Sequence, residues 1–263
     1  MIKSLKVVGV ALVFLFLLSA CSDEVATNLT DAEDVLKQSL VAMEKLDSYS
    51  MTMESDQTMT INDTETINMI MKIESDMTLD PMAFYQKLSL ESDMEFMGTY
   101  ETEMYLVGDQ MYMFEPMMNE WMELPMDMVE EMGSLSEMQL SPDQQLLMLR
   151  NFVEDIKLSE SGNEYVLKLV GEGSKFMELA EFFGGAGGEL GGMLEFFSEL
   201  ELNKIEYEIF IDKTTLYQTK LNMSLDMNLA MEGETVHTIQ SMKATIHGYN
   251  EVGEIKLPEE VLN

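Results

Sequence analysis

Histidine, cysteine and basic residues are scarce in this chain, and each scarcity excludes a class of function. There are two histidines, one cysteine, and 15 lysines and arginines against 49 acidic residues. A formal charge of −34 leaves no basic stripe to neutralise phosphates, so no nucleic acid is expected as a partner. The same self-repulsion keeps the surface soluble and discourages contact with anionic headgroups. His237 and His247 share parity on one strand, but on a straight strand they would stand ~33 Å apart and cannot form one site. Neither has an evident local orienter, so no Ser/His/Asp set can be argued. Carboxylates such as Glu101, Glu103 and Asp226 read as a solvated sheet face, and the loop pattern of a Ca²⁺ site is missing. The expectation is a protein that is not an enzyme and carries no cofactor.

Long apolar runs are also lacking, with one exception. Lys3 and Lys6 precede an unbroken run from Val7 to Leu18. It is too short for a spanning helix, which needs about 20 residues, and fits the apolar region of a secretory signal peptide. It ends in Leu18-Ser19-Ala20-Cys21. That tetrapeptide resembles the bacterial lipobox, in which the cysteine is diacylated and becomes the first mature residue. The other reading is an ordinary signal peptide with an incidental cysteine. The lipobox resemblance implies a signal peptide at 1–20, lipidation at Cys21, and a short polar tether over 21–29. Two acyl chains suffice for stable anchoring, so the expected location is the cell membrane, lipid-anchored on its extracytoplasmic face.

What the chain has in excess is methionine, 28 residues. From Tyr49 to Leu79 the odd positions give Met51, Met53, Met59, Ile61, Ile67, Met69, Met71, Ile73, Met77 and Leu79. The even positions are mostly Thr, Glu, Asp, Asn and Lys. Alternation with period two means strands with one wet and one buried face. Asn62-Asp63 breaks the pattern, giving two long strands and a turn. Before them Thr30 and Glu33 form a capping-box pattern, and Val35, Leu36, Leu40, Met43 and Leu46 predict a helix over 31–47.

Further strands are expected over 84–94, 98–107, 110–114 and 119–124, with a turn at Gly108-Asp109. Ser141-Pro142 opens a helix whose face carries Leu146, Leu147, Leu149, Phe152, Val153 and Ile156. A strand pair follows at 156–161 and 165–171. Phe176 to Phe197 suggests two short helices around a glycine-rich break at Gly184–Gly192, because that many helical glycines would cost about 1 kcal/mol each. The end of the chain alternates again, over 205–211, 217–229 and 236–249, before an extended tail.

About eleven strands with short connections favour an antiparallel meander. Such a sheet would be ~50 Å wide at about 4.8 Å per strand. Three or four helices cannot cover it. The predicted fold is α+β: a long-stranded, curved antiparallel half-barrel over 30–263 with helices covering its concave face, and an apolar cavity between them.

The order of lipobox, short helix, long-stranded sheet and inserted helices resembles the LolA/LppX-like lipoprotein-carrier superfamily. Gly108-Asp109-Gln110-Met111-Tyr112-Met113, followed by Asn119-Glu120-Trp121, is similar to a segment of uncharacterised Firmicute lipoproteins in that group. The resemblance implies a lipid or acyl chain held inside the half-barrel, with no binding residue transferred by motif. Methionine has three readings. Met51-x-Met53, Met69-x-Met71 and Met111-x-Met113 would suit Cu(I) as soft ligands, but one face of any strand produces that spacing. The residues could simply fill a core. The reading adopted is a deformable ligand cavity lined by Met51, Met53, Met69, Met71, Met104, Leu106, Tyr207, Leu221, Met223 and Leu225. The alternative is an envelope interaction or sensing module with a filled core and no ligand.

Overall fold

The computed structural model of the protein describes residues 29–94, 98–108, 110–125, 142–171, 200–231 and 234–261. The signal peptide, Cys21, nearly all of the tether, Asp109 and the glycine-rich break at Gly184–Gly192 lie outside these residues.

Eleven strands form one antiparallel sheet. They are β1 (Ser48–Ile61), β2 (Glu65–Leu79), β3 (Met82–Ser92), β4 (Thr99–Val107), β5 (Gln110–Glu115), β6 (Glu120–Glu123), β7 (Lys157–Ser161), β8 (Glu164–Gly171), β9 (Leu200–Asp212), β10 (Gln218–Met231) and β11 (Glu234–His247). Their order across the sheet is β6-β5-β4-β3-β2-β1-β11-β10-β9-β8-β7. Two meanders are therefore joined where the first strand pairs with the last. The free edges are β6 and β7, which follow each other in sequence. The sheet is curved and unclosed there, which makes it a half-barrel. This is the fold class that the sequence and its resemblance predict.

The β1–β2 turn holds Asn62 and Asp63 in the left-handed region, at φ 48° and 56°, which short polar side chains tolerate best after glycine. Asn62 Oδ1 also accepts from the Thr235 N–H at 3.0 Å, tying the hairpin tip to β11.

Among the described residues two helices lie on the apolar face. Helix α1 (Ala32–Met43) is capped by Asp31, whose Oδ1 accepts from the Glu33 N–H at 2.7 Å. The expected cap, Thr30, is one residue too early. Asp31 has the extended backbone that a cap requires. The helix also stops a turn short of the predicted Asp47. Leu46 is buried in the core, and the Asp47 N–H is held by Asn250 Oδ1 at 2.7 Å, so the chain turns into β1. Helix α2 (Pro142–Leu149) continues as a 3₁₀ segment, Arg150–Asp155, kinked at Phe152. Of its predicted apolar face, Leu146, Leu149, Phe152 and Ile156 are buried, while Leu147 is exposed.

The main core gathers α1, α2 and the inner faces of β1, β8, β9, β10 and β11 around Val35, Leu36, Leu146, Leu149, Leu167, Ile209 and Ile211. A second, smaller cluster forms around Phe84, Met111 and Leu124 on the other wing of the sheet.

Candidate ligand-binding face

Pairing register turns the parity pattern into rows that cross the sheet. One row runs Leu90, Met71, Ser55, Met242, Met223, Tyr207, Leu169 from β3 to β8. The next, toward the β1–β2 turn, runs Ser92, Met69, Gln57, Gln240, Leu225, Ile205, Gly171. On the other side lie Met53 with Ile73, and Ala244 with Leu221 and Ile209. All ten residues predicted to line a cavity thus belong to one face of one sheet.

They divide by what covers them. Met51, Tyr207 and Leu221 are buried in the helix-covered core, and Met53 and Met223 pack against it while keeping some exposure. Met104 and Leu106 pack against the second cluster. Met69, Met71 and Leu225 are half-buried and stand outside both clusters as the described residues form them. Among the described residues, coverage is therefore heaviest at one end of the face, beneath α1 and α2, and thins toward the β1–β2 and β10–β11 turns.

The inner face also carries polar groups that the sequence reading passed over. Ser55 is 3% exposed and accepts from Gln240 Nε2 at 3.0 Å. Gln57 stands opposite Gln240. Thr238 is buried two positions further on. Ser55 and Gln57 have the same parity as Met51 and Met53, so the alternation alone already places them inside. The result is a methionine and leucine surface with a small polar island in its middle. Such a surface can hold an apolar chain and meet one polar group on it.

Burial holds the tyrosine hydroxyls of the covered end protonated. Burial pushes the Tyr207 hydroxyl well above its ordinary range. Burial also raises Tyr49, with a smaller contribution from the Asp143 carboxylate at the start of α2. The Tyr49 hydroxyl donates to Met77 Sδ at 3.1 Å.

His237 corrects the sequence reading, which found no orienter for it. Its Nε2 lies 2.9 Å from Asp226 Oδ1 across β10 and β11, and Asn203 Nδ2 donates to the same oxygen at 2.7 Å. A partner on a neighbouring strand is invisible to local sequence. Both side chains are over a third exposed on the outer face. Among the described residues, no three His, Cys, Asp or Glu side chains gather as a metal site. No described helix is long and apolar enough to cross a membrane.

Fold and face together define an open antiparallel half-barrel with helices over part of an apolar concave surface. Residues 31–263 match the family of unknown function DUF6612, and the chain belongs to that family. A search of curated proteins gave no match. Among solved structures the chain is similar to LprF from Mycobacterium bovis, at 13% identity and a TM-score of 0.40, over 86% of this chain and 96% of that one. It is also similar to a LolA superfamily protein from Nitrosomonas europaea, at 11% identity and a TM-score of 0.22, over 89% and 98%. A third is a beta-barrel-like protein of domain of unknown function DUF1849 from Brucella abortus, at 9% identity and a TM-score of 0.23, over 76% and 98%.

Proposed function

We propose that the protein is an extracytoplasmic lipoprotein, anchored to the cell membrane through acylated Cys21, which binds a lipid or acyl chain against the methionine-lined inner face. The reading is carried by the uneven coverage that the described residues give that face. Met69, Met71 and Leu225 present partly exposed apolar surface in register beyond the helix-packed core. Thioether side chains adapt to chains of varied length and branching, and the Ser55–Gln240 pair offers one polar anchor. Native mass spectrometry of the unlipidated chain, purified from cells, tests this. Adducts of lipid mass are expected. A clean apo mass together with no uptake of a fluorescent fatty acid would remove the reading.

A second reading is favoured by the burial of Met51, Tyr207 and Leu221. On that reading the interior is filled and the protein is an envelope interaction or sensing module. It predicts that neither measurement detects a lipid.

A further inference from the structure

The outer face of the β3–β6 wing carries a run of aromatic rings beside carboxylates. Tyr85, Tyr105, Phe114 and Trp121 sit at the opposite parity to Met104, Leu106, Met113 and Met122, so they point away from the proposed lipid surface. Their rings form a continuous run. Tyr85 to Tyr105 is 4.8 Å between centroids, Tyr105 to Trp121 is 5.6 Å, and Trp121 to Phe114 is 5.5 Å, all tilted. The carboxy-terminal segment comes to this wing and brings Glu260 and the buried Val261.

A cavity of about 720 Å³ opens between them, lined by Glu103, Phe114, Asn119, Glu120, Trp121, Glu260 and Val261. Three glutamates line it, and among the described residues no lysine or arginine does. Glu103 is fixed in place, because its Oε2 accepts from the Tyr85 hydroxyl at 3.0 Å. Glu103, expected on a solvated face, is half-buried beside the rings. The Tyr105 hydroxyl is raised by burial and by the carboxylates of Glu103 and then Glu260, which shows the sign of the local field.

The chemistry of this lining selects its ligand. Anions meet three carboxylates and a chain of formal charge −34. A small metal ion needs oxygens converging within about 2.6 Å, and the described carboxylates do not gather that way. A bulky cation with diffuse charge satisfies both halves of the lining. Its apolar shell rests on the faces of Trp121 and Phe114, its charge is attracted by the ring quadrupoles, and the spread carboxylates neutralise it at a distance. We propose that this outer pocket is a binding site for a small organic cation of the quaternary-ammonium class, separate from the inner face. It does not depend on the lipid-binding reading, since the two surfaces lie on opposite sides of the sheet.

Trp121 is the chain's sole tryptophan, so its emission reports this pocket alone. The test titrates the full chain, in nonionic detergent, with choline and with tetramethylammonium. Controls are sodium chloride at matched ionic strength and 3,3-dimethylbutan-1-ol, the uncharged carbon isostere of choline. Both cations should give a saturable change that neither control reproduces. Glu120→Gln, a change at an exposed side chain, should weaken choline roughly threefold, and Glu120→Gln with Glu260→Gln roughly tenfold. Trp121→Leu, checked as folded by circular dichroism and followed by calorimetry, should weaken it about three- to tenfold, with a modest fall in thermal stability from the lost contacts with Tyr105 and Phe114. Equal responses to choline and its neutral isostere would overturn the proposal, as would a non-saturable response to choline or undiminished binding by Trp121→Leu.

Discussion

Met51 on β1 stands directly opposite Ile246 on β11, and both are almost wholly buried. The pair bridges the first strand and the last, at the one place where sheet order departs from sequence order. The other neighbouring strands are joined by short connections, except β8 and β9, which residues 172–199 link, and a further long segment runs from β6 to β7 across the open edges. The half-barrel therefore depends on this seam, and α1 lies over it with Val35, Leu36 and Met43 in the same core.

Met51→Ala should cost about 3 kcal/mol, within the usual range for truncating a buried methionine. Met69→Ala, on the same face but half-buried and outside the cluster, should cost about 1 kcal/mol or less. Urea unfolding followed by circular dichroism gives both values. Equal losses would mean that the two ends of the face are packed alike.

Asp31, not Thr30, supplies the cap of α1. Asp31→Ala should lower stability by about 1 kcal/mol. Thr30→Ala, at an exposed residue ahead of the cap, should change it by less than about 0.5 kcal/mol. The same unfolding assay separates them.

The extent to which the sequence foretold this arrangement follows from what kind of information each feature needs. Parity in Met51, Met53, Ile73 and Met77 is local, so strand identity and inner face were legible, and the strands fall near their expected ends except β9, which begins at Leu200, five residues before the expected Ile205. Pairing of β1 with β11 is not local, because alternation names a face and never a neighbour. His237 met Asp226 for the same reason only in the folded sheet. The expected lining set was legible as one face, but its division was not. Whether Met51 is sealed and Met71 half-open depends on where α1 and α2 come to rest. Tyr105 and Trp121 carry a local signal of the outer pocket: large aromatics at outward parity, close to Glu103 and Glu120 in sequence.

Lipidation at Cys21 predicts a chemical product. The amino-terminal peptide of the membrane-purified chain should carry the mass of a diacylglyceryl group on Cys21, and label from palmitate should enter the protein. Cys21→Ser should abolish both. An unmodified cysteine, or label persisting in the variant, would leave the ordinary signal-peptide reading.

Alkaline pH should destabilise the fold. Burial raises the hydroxyls of Tyr49 and Tyr207, and burial with the neighbouring Tyr49 and Tyr217 raises Tyr249. Each stays neutral in the folded chain after its unfolded counterpart, near pH 10, has ionised. The unfolded state then binds fewer protons than the folded one, so stability falls as pH rises. The contribution is complete below about pH 10 and is lost progressively above it. Urea midpoints measured from pH 9 to 11.5 should drop across that window. A Tyr207→Phe chain should lose less over the same interval than the parent does.

Met71 provides the sharpest separation between a ligand surface and a filled core. It is half-buried, faces Ser55 on β1 and Leu90 on β3, and lies in the row that reaches Met242, Met223 and Tyr207. A carboxylate there would strip apolar contact from a bound acyl chain and repel a fatty-acid headgroup seated at the Ser55–Gln240 pair. Met71→Asp should weaken uptake of a fluorescent fatty acid about tenfold, equivalent to roughly 1.4 kcal/mol. Met71→Leu, which preserves volume and apolarity, should change uptake little. Because Met71 already has contact with solvent, the Asp variant should remain folded by circular dichroism. A filled core predicts the reverse: no uptake by the parent chain, and a larger stability loss in Met71→Asp as an unpaired charge is forced between packed side chains.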